Sequence, residues 1–231
     1  MAVARREDRL QDLVAKTGGP SSRIVPMAAD VGNSASMETM ARTVLETHGV
    51  PDVVVANAGI GLDARFVETT DEALRRVFEV NVFGAVRTIR PFLPGMIDRG
   101  SGRVLIVSSV VGRRGTPNYS AYAGSKFALH GMADALRPEL CGTGVTVGIV
   151  CPSSTTTEFQ EHLLRHGPPQ KRTRVQLHAP ESVARAILRM ARSTRRQRIL
   201  SPEGKLMVLV NAVAPGLIDW VLAKVLLTEK R

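Results

Sequence analysis

The chain has 231 residues, with 31 lysines and arginines against 21 aspartates and glutamates, a formal net charge of +10. That length suits one larger globular domain, and 44% hydrophobic with 23% charged residues excludes a disordered or collagen-like chain. The 2 cysteines, Cys141 and Cys151, exclude a disulfide scaffold and a four-cysteine zinc site, while the early charges of Arg5 and Arg6 argue against a secretory signal; a reducing, cytosolic location is expected.

The elements alternate. Glu7–Thr17 reads as a helix with Leu10, Leu13 and Val14 on one face, stopped by Gly18-Gly19-Pro20. Ile24–Val25 is a short apolar strand leading to Ala28-Ala29-Asp30, and Ser34–Thr47 is helical, with Asn33 or Ser34 as N-cap and Gly49 past its end. Val53–Ala56 is a continuous apolar run, the mark of a parallel strand covered on both faces. A long helix starts at Thr70, passes through Asn81 and is disturbed near Pro91 and Pro94. Arg103–Val107 is a second buried strand, Ser120–Leu136 a helix and Val145–Val150 a third strand. Pro180–Met190 opens with proline at a helix start and directs Val183, Ile187 and Leu188 inward; Arg198–Leu200 is a last short strand. Strands separated by helices imply βαβ units and one α/β domain around a doubly wound parallel sheet.

The basic excess concentrates in Gln170–Arg174 and Arg189–Arg198. Only 4% of residues are aromatic, and neither a zinc-finger spacing nor an RNA-binding aromatic motif is present, so a solvated basic rim is favoured over nucleic acid. No metal-ligand geometry follows from the spacing of His162, His166 and His178.

The strongest chemical signal is Tyr122-Ala123-Gly124-Ser125-Lys126. Positions i and i+4 share a helix face, so the phenol and the ammonium enter one site, where the ammonium favours the phenolate and tunes the tyrosine for acid–base work. By itself the pair also fits a surface helix. Three features add to it. Ser108-Ser109 directly follows the Arg103–Val107 strand, and Asn57-Ala58-Gly59 directly follows Val53–Ala56, both where open α/β sheets place ligand-binding groups. Asn81 stands among Val80, Val82 and Phe83, where a buried amide needs partners.

In this order the motifs resemble the short-chain dehydrogenases/reductases, from about Ala4 to about Leu200. The resemblance implies a Rossmann-like fold and catalytic roles for Asn81, Ser109, Tyr122 and Lys126. Asn81 would hold a proton-relay water, Ser109 the substrate oxygen, and Tyr122 would be the general acid/base. Lys126 would bind the nicotinamide ribose and lower the tyrosine pKa. The separation 122 − 109 = 13 is the family's spacing, and Tyr119 lacks a lysine four residues on. Asn57-Ala58-Gly59 would stabilise the central sheet and lie near the cofactor, with Asp30-Val31 near the adenine. Pro152 and Thr157 would lie beside the nicotinamide, although Ser153 stands where the family has glycine. The reaction implied is hydride transfer between a nicotinamide and an alcohol or carbonyl carbon. Arg5, with Arg6 behind it, occupies the turn where an acidic residue selects NAD, so NADP is the expected cofactor.

The family's glycine-rich turn, with its strand and helix, has no counterpart before Arg5, so an N-terminally incomplete domain is expected. The Ile24–Val25 and Val53–Ala56 strands should then face a gap or pair differently. A truncated, inactive relative acting as a binding module is the alternative function. The segment Phe159–Leu177 is the expected substrate lid, and the substrate itself, a small alcohol or carbonyl compound, is not readable. A homo-oligomer is expected. The C-terminal stretch 205–231 includes Val208–Leu227, apolar but broken by Asn211, Pro215, Asp219 and Lys224, so a spanning helix is disfavoured. Its alternatives are packing against the domain, a second subunit or a lipid interface.

Overall fold

The computed structural model describes residues 1–155, 159, 163–165 and 178–227. Its main sheet has four parallel strands in the order β3 (Val53–Ala56), β5 (Gly102–Val107), β6 (Val145–Cys151) and β8 (Gln197–Ile199). One face carries Val54, Ala56, Val104, Ile106, Val147 and Ile149, and packs on α2 (Ser34–His48), α4 (Gly84–Ile89) and α6 (Ser120–Glu139) through Met37, Met40, Ile89, Leu129 and Ala133. The opposite face is covered by α7 (Pro180–Ala191), where Met190 closes on Leu105 and Val150. Helices on both faces make the Rossmann-like, doubly wound arrangement that the alternation of elements predicts.

The strand bounds in the N-terminal part differ from expectation. The strand expected at Ile24–Val25 is β2 (Pro26–Ala28), and its register is set by parallel pairing with β1 (Ala2–Ala4) rather than by local hydrophobicity. This two-stranded sheet is separate from the main one: among the described residues no ladder joins β1 or β2 to β3, and Val53 and Val55 of β3 are exposed. So narrow a sheet buries little of α1 (Glu7–Lys16): Leu10 is inside, Val14 half-buried and Leu13 exposed.

The long helix expected from Thr70 is capped by the Thr70 hydroxyl, which accepts from Ala73 N. It runs as α3 (Asp71–Phe78), a π-helical turn over Glu79–Phe83, α4, a 3-10 turn over Arg90–Phe92 at Pro91, and α5 (Leu93–Asp98). A second missed pairing joins β4 (Leu62–Asp63) to β7 (Leu164–Arg165). In α7 Ala186 and Met190 are buried and Ile187 half-buried, whereas Leu188 is exposed, contrary to the inward face expected of it.

The apolar C-terminal stretch is two helices, α8 (Pro202–Val213) and α9 (Pro215–Leu227), because Pro215 prevents Ala214 from continuing the helix. They pack on the domain through Gly204 against Val110, buried Ile218, and an Arg114–Asp219 ion pair, leaving Leu206, Leu209, Val213, Leu217, Trp220 and Val225 exposed. Among the described residues no helix is long and apolar enough to cross a membrane.

Candidate active site

The C-terminal end of β5 and the first turns of α6 build the site together. Ser108 is buried and its hydroxyl donates to Lys126 O at 3.2 Å, pinning α6 to the strand end. Lys126, also buried, sends Nζ back to Val107 O at 3.1 Å. Tyr122 lies one turn earlier on the same face, its ring centroid 5.7 Å from Lys126 Nζ. Ser109 caps the 3-10 turn over Val110–Gly112, and its hydroxyl is near enough to Tyr122 to act on the phenol's pKa. Thus Ser109, Tyr122 and Lys126 are brought together as expected.

Asn81 is fully buried and reaches the site from the π-helical turn. Its Oδ1 accepts from Ile60 N at 2.8 Å, and its Nδ2 donates to Ile60 O and to Ser125 Oγ, both at 2.9 Å. Ser125 Oγ in turn donates to Tyr122 O at 2.7 Å. The side-chain amide is therefore a clasp between the segment after β3 and α6, with both donors engaged. Ile60 and Ser125, its partners, carry no separate signal in sequence, although Ser125 stands inside the Tyr122–Lys126 motif.

Asn57 and Ala58 follow β3 and are exposed. Among the described residues β3 pairs with β5 on one side and has no ladder on the other. Gly59 is closer in: a Cβ there would stand 3.2 Å from both Asn81 Oδ1 and Lys126 Nζ, so the bare Cα keeps a cradle open beside the ammonium. Lys126 uses one of three donors on Val107 O, which fits a partner carrying hydroxyls at that cradle.

Asp30 and Val31 follow β2. Asp30 Oδ1 accepts from Gly32 N at 2.9 Å, and Val31 packs against Gly84 while its carbonyl accepts from Arg87 Nη1 at 3.0 Å. Arg5 is exposed just past β1, and Arg6 is the N-cap residue of α1. These four residues belong to the smaller sheet rather than to the Tyr122 cluster. Pro152 O accepts from Val110 N at 2.9 Å and from Ser109 Oγ at 3.4 Å, tying the end of β6 to the serine. Thr157, like His162 and His166, lies outside the described residues. Phe159 and Leu163, in the expected lid, lie against Gly61, and the Phe159 ring centroid is 5.6 Å from that of Tyr122.

These surroundings reverse one electrostatic expectation. Burial pushes the Tyr122 hydroxyl up to about 12; the nearby Ser109 hydroxyl opposes the rise and Tyr119 adds to it. Burial also pushes Lys126 down to about 8. Beneath the lysine, Cys151 Sγ and His130 Nε2 are 3.7 Å apart, the thiol pushed up to about 12 and the imidazole down to about 4, chiefly by burial. Both are neutral near pH 7, so the buried ammonium gains no anion from them, and desolvation prevails over any lowering of the tyrosine pKa.

A pH effect on stability follows. Between about pH 8 and its unfolded value of 10.5, native Lys126 holds fewer protons than the unfolded chain, so stability rises with pH across this window. Lys126→Met removes the effect. From about pH 7.5 to about pH 10, wild type should gain on the order of 2 kcal/mol relative to the variant in urea unfolding. Parallel pH profiles would show that the lysine is not held desolvated.

A family model described as short chain dehydrogenase matches residues 1–167. An uncharacterized oxidoreductase of Bacillus subtilis is 30% identical over 230 residues, covering 98% of this chain and 65% of the relative, so the chain spans just under two thirds of that protein's length. A crystal structure of a short-chain dehydrogenase from Streptomyces avermitilis superposes with a TM-score of 0.81 at 30% identity, covering 94% of this chain and 85% of that one. An alcohol dehydrogenase from Thermococcus sibiricus, complexed with 5-hydroxy-NADP, gives 0.74 at 27% identity over 86% of this chain and 83% of its own.

Proposed function

This chain belongs to the short-chain dehydrogenase family, and from that premise we propose that it is an NADP(H)-dependent oxidoreductase. It interconverts a secondary alcohol and a ketone or aldehyde by hydride transfer, with Tyr122 as general acid/base. The observation that carries the reading is the neighbouring Ser109 and Tyr122 hydroxyls with buried Lys126 one helical turn away. Two hydroxyls on one spot can hold a single substrate oxygen, and only one of them needs to transfer a proton.

The bound dinucleotide would supply or accept the hydride. Lys126 and the cradle at Gly59 would hold its nicotinamide ribose, Pro152 and Thr157 the nicotinamide side, Asn57 and Ala58 the adjoining edge, Asp30 and Val31 the adenine. Arg5 and Arg6 would take the 2′-phosphate. In reduction, Ser109 Oγ and the Tyr122 hydroxyl donate hydrogen bonds to the carbonyl oxygen. The Tyr122 proton moves to that oxygen as alkoxide character develops, and Lys126 stabilises the phenolate left behind. A tyrosine held protonated at neutral pH suits this direction. Phe159 shields one side of the ring. The Thermococcus relative's complex with 5-hydroxy-NADP supports a nicotinamide dinucleotide, and Arg5 supports its phosphorylated form.

Calorimetric titration tests this. Saturable binding of NADPH, about tenfold or more tighter than NADH, is expected, with the preference lost in Arg5→Glu. A folded chain that binds neither dinucleotide would instead favour a binding module without catalysis, and equal affinities would overturn the role of Arg5.

A further inference from the structure

Arg103, the second residue of β5, is a buried cation at the end of the strand opposite the candidate active site, about 16 Å from Ser108 at strand rise. Its guanidinium lies over Gly148 of β6. Nε donates to Met190 O at 3.2 Å and Nη2 to Arg195 O at 2.6 Å, so it fastens the end of α7 and the following turn to the sheet. Nη1 is buried with no hydrogen-bond partner. Burial and the neighbouring Arg137 both press against the charge, moving the Arg103 pKa below its ordinary value.

This residue lines an open cavity of about 550 Å³ together with Thr146, Ala191, Arg192, Ser193, Thr194 and Arg195. The lining is rich in donors: three guanidinium groups and three hydroxyls, with no carboxylate among the described residues. Arg192 and Arg195 are exposed and, among the described residues, make no salt bridge. The carbonyl of Met190 at the helix end, which would repel an anion, already accepts from Arg103 Nε, Ser193 N and Ser193 Oγ. Within the basic run Arg189–Arg198, the exposed Arg192 and Arg195 line the same cavity as the buried Arg103, whose Nη1 lacks an acceptor.

We propose that this pocket binds a phosphate-class oxyanion. Planar guanidinium groups pair with phosphate oxygens through parallel hydrogen bonds, and an oxyanion brings several acceptors with the charge the three arginines lack. Arg103 Nη1, buried and without a partner, is the donor such an oxygen would engage. The site is independent of the dinucleotide reading, since it lies at the other end of the sheet and shares no residue with it.

Thermal unfolding of the full chain tests the site, with inorganic phosphate titrated at constant ionic strength against chloride. A saturable rise in Tm is expected in wild type and equally in Arg5→Glu, whose change lies in the other site. In the double variant Arg192→Gln/Arg195→Gln the apparent affinity should fall about tenfold for each arginine removed. Because both side chains are exposed, folding should be unaffected. A second arm uses vesicles of phosphatidylcholine with phosphatidic acid: cosedimentation of wild type but not of the double variant assigns the site to a lipid-borne phosphate, and a response to dissolved phosphate alone assigns it to a soluble one. Neither response, or equal responses in wild type and double variant, overturns the proposal.

Discussion

Tyr122→Phe is expected to lower turnover about a thousandfold while leaving the fold and dinucleotide affinity intact, the middle of the range for removing a positioned general acid. The substitution deletes one oxygen. The aromatic ring keeps its tilted contact with Phe159 and its edge contact with Tyr119. The Ser109 hydroxyl still accepts from Val111 N at 3.3 Å and donates to Pro152 O at 3.4 Å. Native-like Tm and unchanged NADPH titration would therefore accompany the loss, with initial rates read by NADPH absorbance over a panel of ketones and aldehydes. An activity within a few fold of wild type would move the proton donor elsewhere in the site.

Asn81→Ala should produce the largest loss of stability, roughly 3–5 kcal/mol, because it strands several groups at once. Half-buried Ile60 loses the side-chain partner of its N–H and its carbonyl, and in the interior Ser125 Oγ loses a donor. Alanine also leaves a void where a fully buried side chain had been. For a domain whose total stability is about 5–15 kcal/mol, that is a large fraction, visible as a lower urea midpoint. Asn81→Asp retains an acceptor for Ile60 N but loses both N–H donors, and should fall between alanine and wild type. A loss below about 1 kcal/mol in the alanine variant would mean that the clasp does not hold the two segments.

The parts legible in the sequence are those set by short-range pattern or local spacing. Val104–Val107 read as a buried strand because every residue is apolar, and each is buried. Tyr122 and Lys126 read as one site because a helix puts i and i+4 on one face, and Ser109 because it stands at a strand end. What escaped depends on distant partners. Pro26–Ala28 becomes a strand only because Ala2–Ala4 lies beside it, while the more apolar Ile24 and Val25 stay outside. The π-helical turn at Glu79–Phe83 and the match of Asn81 to Ile60 and Ser125 leave no trace in hydrophobic periodicity. The direction of the Tyr122 shift depends on how completely the surroundings remove water, so proximity to a cation predicted the opposite sign. Arg103 stands in sequence as the first residue of the Arg103–Val107 strand, and nothing local marks its guanidinium's partners, which come from α7 and the turn after it.

The division into two sheets gives the proposed dinucleotide site a particular logic. Arg5, Arg6, Asp30 and Val31 belong to the β1–β2 unit, whereas Gly59, Lys126 and Pro152 belong to the larger sheet. No backbone ladder among the described residues holds the two units at a fixed spacing; side chains such as Met27 and Ala29, packed into the core shared with α2, do so instead. A dinucleotide engaging both ends is then a bivalent ligand on a split receptor: each half-site is weak, and the second contact gains from the effective concentration set by the first. Occupancy would also cross-brace the protein, adding to a packing contact between two bodies a single molecule held by both.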